Sequence, residues 1–194
     1  MEQLLNIIAS SILAIFFIFF FGRNLILKRK LKKSITGKDP FIYITILAFT
    51  IIVTLFLGSL WGKLLVITGF ELGFLNNTAI KVLAIILMIL STVICITSSL
   101  TLRNSWRIGI PGAEKTELIQ HGIYSICRNP YFLSYYTYFL AMFLFSANSV
   151  IGVGMVIATI PLHMLVIKEE RHLENIHGDD YRQYKSHVKR YGIF

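Results

Sequence analysis

The chain has 194 residues, 55% of them hydrophobic and 15% charged, with a mean hydropathy of +0.68. A soluble globule of this length cannot bury so much apolar surface, so the lipid bilayer is the expected solvent. The formal net charge of +9 does not signal a nucleic-acid partner, because Lys and Arg cluster beside apolar runs instead of forming a basic face with interleaved aromatics.

In chain order, residues 4–21 are an apolar or small-residue run of bilayer length. They lack the basic leader and cleavage site of a signal peptide and read as a retained first span. Residues 22–40 form a basic loop carrying Arg23, Lys28, Arg29, Lys30, Lys32, Lys33 and Lys38, with Gly37 and Pro40 breaking any helix. The positive-inside rule puts this loop in the cytoplasm. Asp39 and Pro40 cap and open a second span over residues 41–60, followed by a loop with no basic excess, expected outside.

Thr78–Leu102 reads as a third span, returning the chain to the cytoplasm. A connector over residues 103–130 follows, non-helical in part because of Gly109, Pro111 and Gly112. Two apolar runs, joined by a charge-free tip at residues 146–149, make a helical hairpin over residues 131–167. The tail, residues 168–194, has Leu173, Ile176, Tyr181, Tyr184 and Val188 at helical spacing, interrupted by Gly178, and reads as helix, turn, helix. The expectation is an all-α, polytopic integral membrane protein of five transmembrane helices. It forms one structural unit, with residues 1–102 preceding a region 103–194, the N-terminus outside and the C-terminus in the cytoplasm.

Two polar stretches stand out. His121 to Phe132 reads HGIYSICRNPYF, in which Asn129 before Pro130 is a helix start. Asn caps free N–H groups, and Pro at the first helical position forfeits no hydrogen bond. The helix N-terminus so created, beside Arg128 and Tyr124, suits an anionic group. The second stretch, from Lys168, holds Glu169 and Glu170 where an apolar helix leaves the membrane, a position that invites a cationic ligand. Cys95 and Cys127 have neither the spacing nor the His partners of a metal site or a disulfide framework, so no metal is expected.

The motif Gly122-x-Tyr124 with Arg128-Asn129-Pro130, followed by Glu169-Glu170, Leu173, Gly178, Tyr181 and Tyr184, resembles the isoprenylcysteine carboxyl methyltransferases and the related phospholipid N-methyltransferases. The resemblance runs over residues 103–188, and the first two spans match nothing specific. It implies an S-adenosylmethionine-dependent membrane enzyme with membrane lipids around it and a lipophilic substrate that enters from the bilayer. It also implies that Thr116, Glu117, Leu118 and Ile119, with His121, Gly122 and Tyr124, wrap the adenosine. Asn129, Pro130, Tyr131 and Phe132 would meet the methionyl end, and Glu169 would contact the cofactor from the tail. Arg128 either binds the cofactor carboxylate or braces the tail.

The leading acceptor under this resemblance is the carboxylate of an isoprenylated cysteine, which needs no general base. The alternative is a phospholipid or other amine, for which Glu170 would serve as base. Members acting on prenylated termini are expected to carry an arginine one turn before the Glu pair, where this chain has Leu165 and Val166, with Arg171, Arg107 and Arg103 as the available substitutes. An NADPH-dependent sterol-reductase-like enzyme and a non-catalytic membrane scaffold are the readings from other classes. His163 is either a cavity residue or an interfacial one.

Overall fold

The structure is a computed structural model and describes residues 1–32, 37, 39–62, 70–106 and 117–192. Its long helices are α1 (Glu2–Leu31), α2 (Pro40–Trp61), α3 (Thr78–Leu102), α4 (Pro130–Ser146) and α5 (Ser149–His177), followed by the short α6 (Asp179–His187). Single 3-10 turns lie at Arg103–Ser105 and Gly122–Ser125. Among the described residues the sole β feature is an isolated bridge between Glu71 and Asn148.

Helices α1, α2, α3 and α5 are long and apolar enough to cross a membrane. At 17 residues α4 is shorter, about 26 Å against a hydrocarbon core of about 30 Å. Outward-facing side chains such as Ile18, Leu47, Ile86 and Ile157 are exposed and apolar, which water would penalise and lipid accepts. This is an integral membrane protein.

Local chemistry sets most of the ends. Asp39 accepts from the Phe41 N–H at 2.9 Å and Pro40 fills the first position of α2. Asn77 caps α3 through Ile80 at 3.0 Å, and Asn148 caps α5 through Val150 at 2.9 Å. Gly178 leaves α5 at a φ of 55°, the left-handed turn that a side chain resists, and α6 starts at once.

Two expected boundaries are corrected. First, α1 does not stop at Phe21 but runs to Leu31, so Arg23 and Lys28 to Lys30 are helical. Lys and Arg are good helix formers, and the lone Gly22 is tolerated within the helix. The extension is also held: Arg23 Nη2 donates to the Arg103 carbonyl at 3.1 Å, and Asn24 accepts from Trp106 Nε1 at 2.9 Å. Second, the hairpin's second arm and the first tail helix are one continuous α5 that passes through Pro161. The expected break in the connector at Gly109, Pro111 and Gly112 lies outside the described residues.

α3 packs along α4, α2 along α5, and α1 along α3. Small buried residues of α3, Ala84, Ser91 and Ser98, allow close approach, and the Ser91 hydroxyl donates to the Ser134 carbonyl of α4. The core is aromatic at its centre, where Phe16, Phe49, Tyr135 and Tyr138 meet edge-on or tilted with centroids 4.9 to 6.1 Å apart. At one end the Leu72 N–H donates to the Ala147 carbonyl at 2.7 Å and Ser149 exchanges hydrogen bonds with Phe70. The segment before α3 and the hairpin tip therefore share that end. The polar stretches gather at the other.

Candidate active site

Three elements converge where α4 begins. The 3-10 turn at Gly122–Ser125 presents Tyr124, α4 starts from Asn129, and the far end of α5 brings the Glu pair. Gly122 makes the turn possible: its φ is 62°, and a Cβ there would sit 3.4 Å from Thr101.

Consecutive helix positions lie about 100° apart, so Glu169 and Glu170 face different surroundings. Glu170 is 4% exposed. Its Oε1 accepts from Asn129 Nδ2 at 2.7 Å and lies 3.1 Å from Arg128 Nη2. Its Oε2 accepts from Arg190 Nη2 at 2.8 Å and Nε at 3.1 Å. One carboxylate thus pairs with two guanidiniums, so the buried charge of Glu170 is fully compensated and hydrogen-bonded and the cluster keeps one positive charge. Glu169 has no hydrogen bond or ion pair with the described residues and lines a cavity.

Asn129 therefore does not cap α4. Its side chain is turned to Glu170, and it makes no side-chain cap hydrogen bond to the helix. A charged acceptor in a buried setting outcompetes the backbone N–H groups for the amide. Arg128 Nη1 donates to the Lys185 carbonyl at 2.9 Å, so the guanidinium braces the tail through both terminal nitrogens, while its buried Nε has no hydrogen-bond partner among the described residues. Tyr184 donates to the Tyr124 carbonyl at 2.6 Å, fastening α6 to the same turn. Burial, with the nearby Glu169 charge adding to it, pushes the Tyr124 phenol well above its ordinary range and keeps it neutral.

The cavity has a volume of about 420 Å³, within the usual range for small-molecule sites of about 300 to 1,000 Å³. Glu117, Tyr124, Arg128, Asn129, Glu169 and His172 line its polar part. From there it continues past Leu165 and Phe132 to Phe16, Phe17, Phe49 and Thr50, halfway along α2. Phe21 and Ile46 line it too, yet are 62% and 50% exposed, so its apolar part reaches the outer surface at α1 and α2.

Of the residues expected to hold the cofactor, Glu117, Leu118, Ile119, Tyr124, Asn129, Tyr131, Phe132 and Glu169 line this one cavity, together with Arg128. His121, Gly122 and Pro130 do not; the first is exposed, the second shapes the turn, and the third is packed at the start of α4. Thr116 lies outside the described residues. His163 is not a cavity residue: its Nδ1 lies 2.9 Å from the Tyr191 hydroxyl. Sequence reasoning missed α1, α2 and Arg190 as parts of the site. The aromatic density of residues 16–21 was the available signal for α1, whereas Arg190 offered none.

The donor set suits S-adenosylmethionine. Carboxylates at Glu117 and Glu169 match its positive groups and ribose hydroxyls, and the Arg128 guanidinium in the cavity wall matches its carboxylate.

A helical membrane bundle with a polar-to-apolar cavity at one end is thus the class that fold and site define. The family model for phospholipid methyltransferases matches residues 79–180, just over half the chain and all of α3 but its first residue, α4 and α5. The chain belongs to this family of membrane methyltransferases, which generally use S-adenosylmethionine. A search of curated proteins finds no match.

Proposed function

We propose that this protein transfers a methyl group from S-adenosylmethionine to an amine-bearing lipid that reaches the site from the bilayer. The observation carrying this reading is the single cavity in which the family-motif residues Tyr124, Asn129 and Glu169 share walls with Phe16, Phe17 and Phe49 of α1 and α2. A water-soluble donor suits the polar part and a lipid chain the apolar part.

The charge of the lining favours the amine over the carboxylate acceptor. Among the described lining residues the carboxylates are Glu117 and Glu169, and the one guanidinium, Arg128, is shared between Glu170 and the donor's carboxylate, leaving none for an anionic acceptor. Leu165 lines the cavity at the level where a carboxylate-holding arginine would stand. An anionic acceptor would meet like charge; an ammonium meets a counter-ion and aromatic faces.

When bound, S-adenosylmethionine supplies an electrophilic methyl on a sulfonium. Glu169, whose oxygens have no hydrogen bond with the described residues, accepts the ammonium proton of the acceptor at a carboxylate oxygen, a role for which Glu170, fully occupied by donors, is less suited. Glu117 and Arg128 orient the donor, and Phe132, Leu165 and Tyr135 keep water from the reacting methyl. The basic end of α1 supports a cytoplasmic location for this end of the bundle, with five spans and the N-terminus outside.

The test is calorimetry of the purified protein with S-adenosylhomocysteine and with NADPH, then incubation of native membranes with labelled methyl donor. Binding of S-adenosylhomocysteine and label in base-stable lipid are expected. Label released as methanol by mild base would establish the carboxylate acceptor instead. Binding of NADPH alone would establish a reductase.

A further inference from the structure

Residues 188–192 follow α6, lie beyond the family match, and run back across the start of α4. The Arg128 N–H donates to the Lys189 carbonyl at 3.0 Å, and the Asn129 N–H to the Arg190 carbonyl at 3.1 Å. The Cys127 thiol also points at the Arg190 carbonyl, at 3.4 Å. One residue on, the Tyr191 ring sits between α4 and α5, edge-on to Tyr136 with its hydroxyl 3.3 Å from that of Tyr136 and 2.9 Å from His163 Nδ1. This strap is fixed on both sides of Arg190. The Arg190 side chain is only 33% exposed and delivers two N–H groups to Glu170 Oε2.

A carboxylate held on one oxygen alone is free to rotate about its last torsion, which is broad and soft. With Oε2 held by two donors of one planar guanidinium, Oε1 is kept for Arg128 and Asn129, the two members of the group that line the cavity. We propose that Arg190 is a positioning residue for the methyl-donor site, acting through Glu170 to set Arg128 and Asn129, and that the strap at residues 188–192 is therefore part of the site. The inference rests on the proposed function for the identity of the ligand, but not for the mechanical coupling. Lysine keeps the charge but, as a point charge without the planar fork, cannot hold the carboxylate's orientation, so Arg190→Lys is the intermediate case.

The experiment uses the full chain in detergent and compares wild type, Arg190→Lys, Arg190→Ala, Glu170→Gln and the Arg190→Ala/Glu170→Gln double variant. For Arg190→Ala, a rise of about tenfold in the dissociation constant of S-adenosylhomocysteine and in the KM for the methyl donor is expected, with the acceptor KM unchanged. Arg190→Lys should fall between it and wild type, and Arg190→Ala should add nothing in the Glu170→Gln background. In ligand-free protein, amide exchange over residues 126–132 should accelerate in Arg190→Ala. Wild-type affinity and exchange in Arg190→Ala would overturn the inference, as would additive losses in the double variant, the signature of a merely structural role. If Arg190→Ala does not fold, Arg190→Lys carries the same comparisons. If wild type itself binds no S-adenosylhomocysteine, the donor reading fails, while the exchange measurement still decides the coupling of Arg190 to the start of α4.

Discussion

Lys168 Nζ lies 2.9 Å from Asp39 Oδ2 and 4.2 Å over the Phe41 ring, tying α5 to the residue that caps α2. Asp39 serves two elements, since its other oxygen holds the Phe41 N–H. The Lys168 hydrogen bond, then the backbone one, keeps the Asp39 carboxyl below its ordinary value. A depressed carboxyl contributes stability above its unfolded pKa and loses it as pH falls through the folded one. Asp39→Ala should therefore cost about 1 kcal/mol at neutral pH, and Asp39→Asn, which keeps a cap, less. Detergent-melting midpoints should show the gap between wild type and Asp39→Asn closing as pH falls below the ordinary Asp range.

The Glu pair should separate into two phenotypes. Glu170→Gln leaves Arg128 and Arg190 without their shared anion, and loss of a buried partner costs on the order of 3 kcal/mol of stability. Glu169→Gln breaks no bond within the described residues, so its melting midpoint should stay near wild type. Affinity for S-adenosylhomocysteine should nonetheless fall by about 1 to 3 kcal/mol. Equal destabilisation by the two variants would contradict the division.

The acceptor's chemistry should appear in the pH profile. An amine must lose a proton before attack, so the methylation rate at saturating donor should climb between about pH 6 and 9. A carboxylate acceptor, ionised throughout, would give a flat profile. Initial rates with native membranes as the acceptor source decide between them.

Opposite ends of the bundle should label from opposite sides of the membrane. Lys30 stands in the last turn of α1 and Asn148 at the hairpin tip, so Lys30→Cys and Asn148→Cys should react with an impermeant maleimide from different faces. The native thiols should contribute little background. Cys95 and Cys127 are both buried, and burial also raises the Cys127 thiol above its ordinary value, leaving less thiolate to react. Modification of both introduced cysteines from one side would refute the arrangement.

What could be read from residues alone depended on whether the signal was local. The bounds of α3, the Asp39 cap, the hairpin tip and the turn at Gly178 are set by neighbouring residues and were legible in advance. The reach of α1 was not, because a run of Lys and Arg says which side of a membrane a segment prefers, while helix formation tolerates them. The site was legible as a set of motif residues, most of which do share one cavity. The roles within it were not: a change of 100° decides which carboxylate is buried, and only the strap's return across α4 reveals what Glu170 binds. Asn129 was read as a cap for the same reason, since its actual acceptor lies 41 residues away.

The strap also bears on how the protein comes into being. Arg190 lies 61 residues beyond Asn129, so at about 5 to 20 residues per second a ribosome reaches it about 3 to 12 s after making the start of α4. During that interval α3 can enter the bilayer while Glu170 has yet to be made and the N–H groups of Arg128 and Asn129 lack their carbonyls. Insertion of α3 and completion of the cavity wall are thus separate events in translation. A chain interrupted before residue 189 would carry its polar cluster unfinished, with Glu170 still paired to Arg128 but its Oε2 without donors and the N–H groups of Arg128 and Asn129 without acceptors.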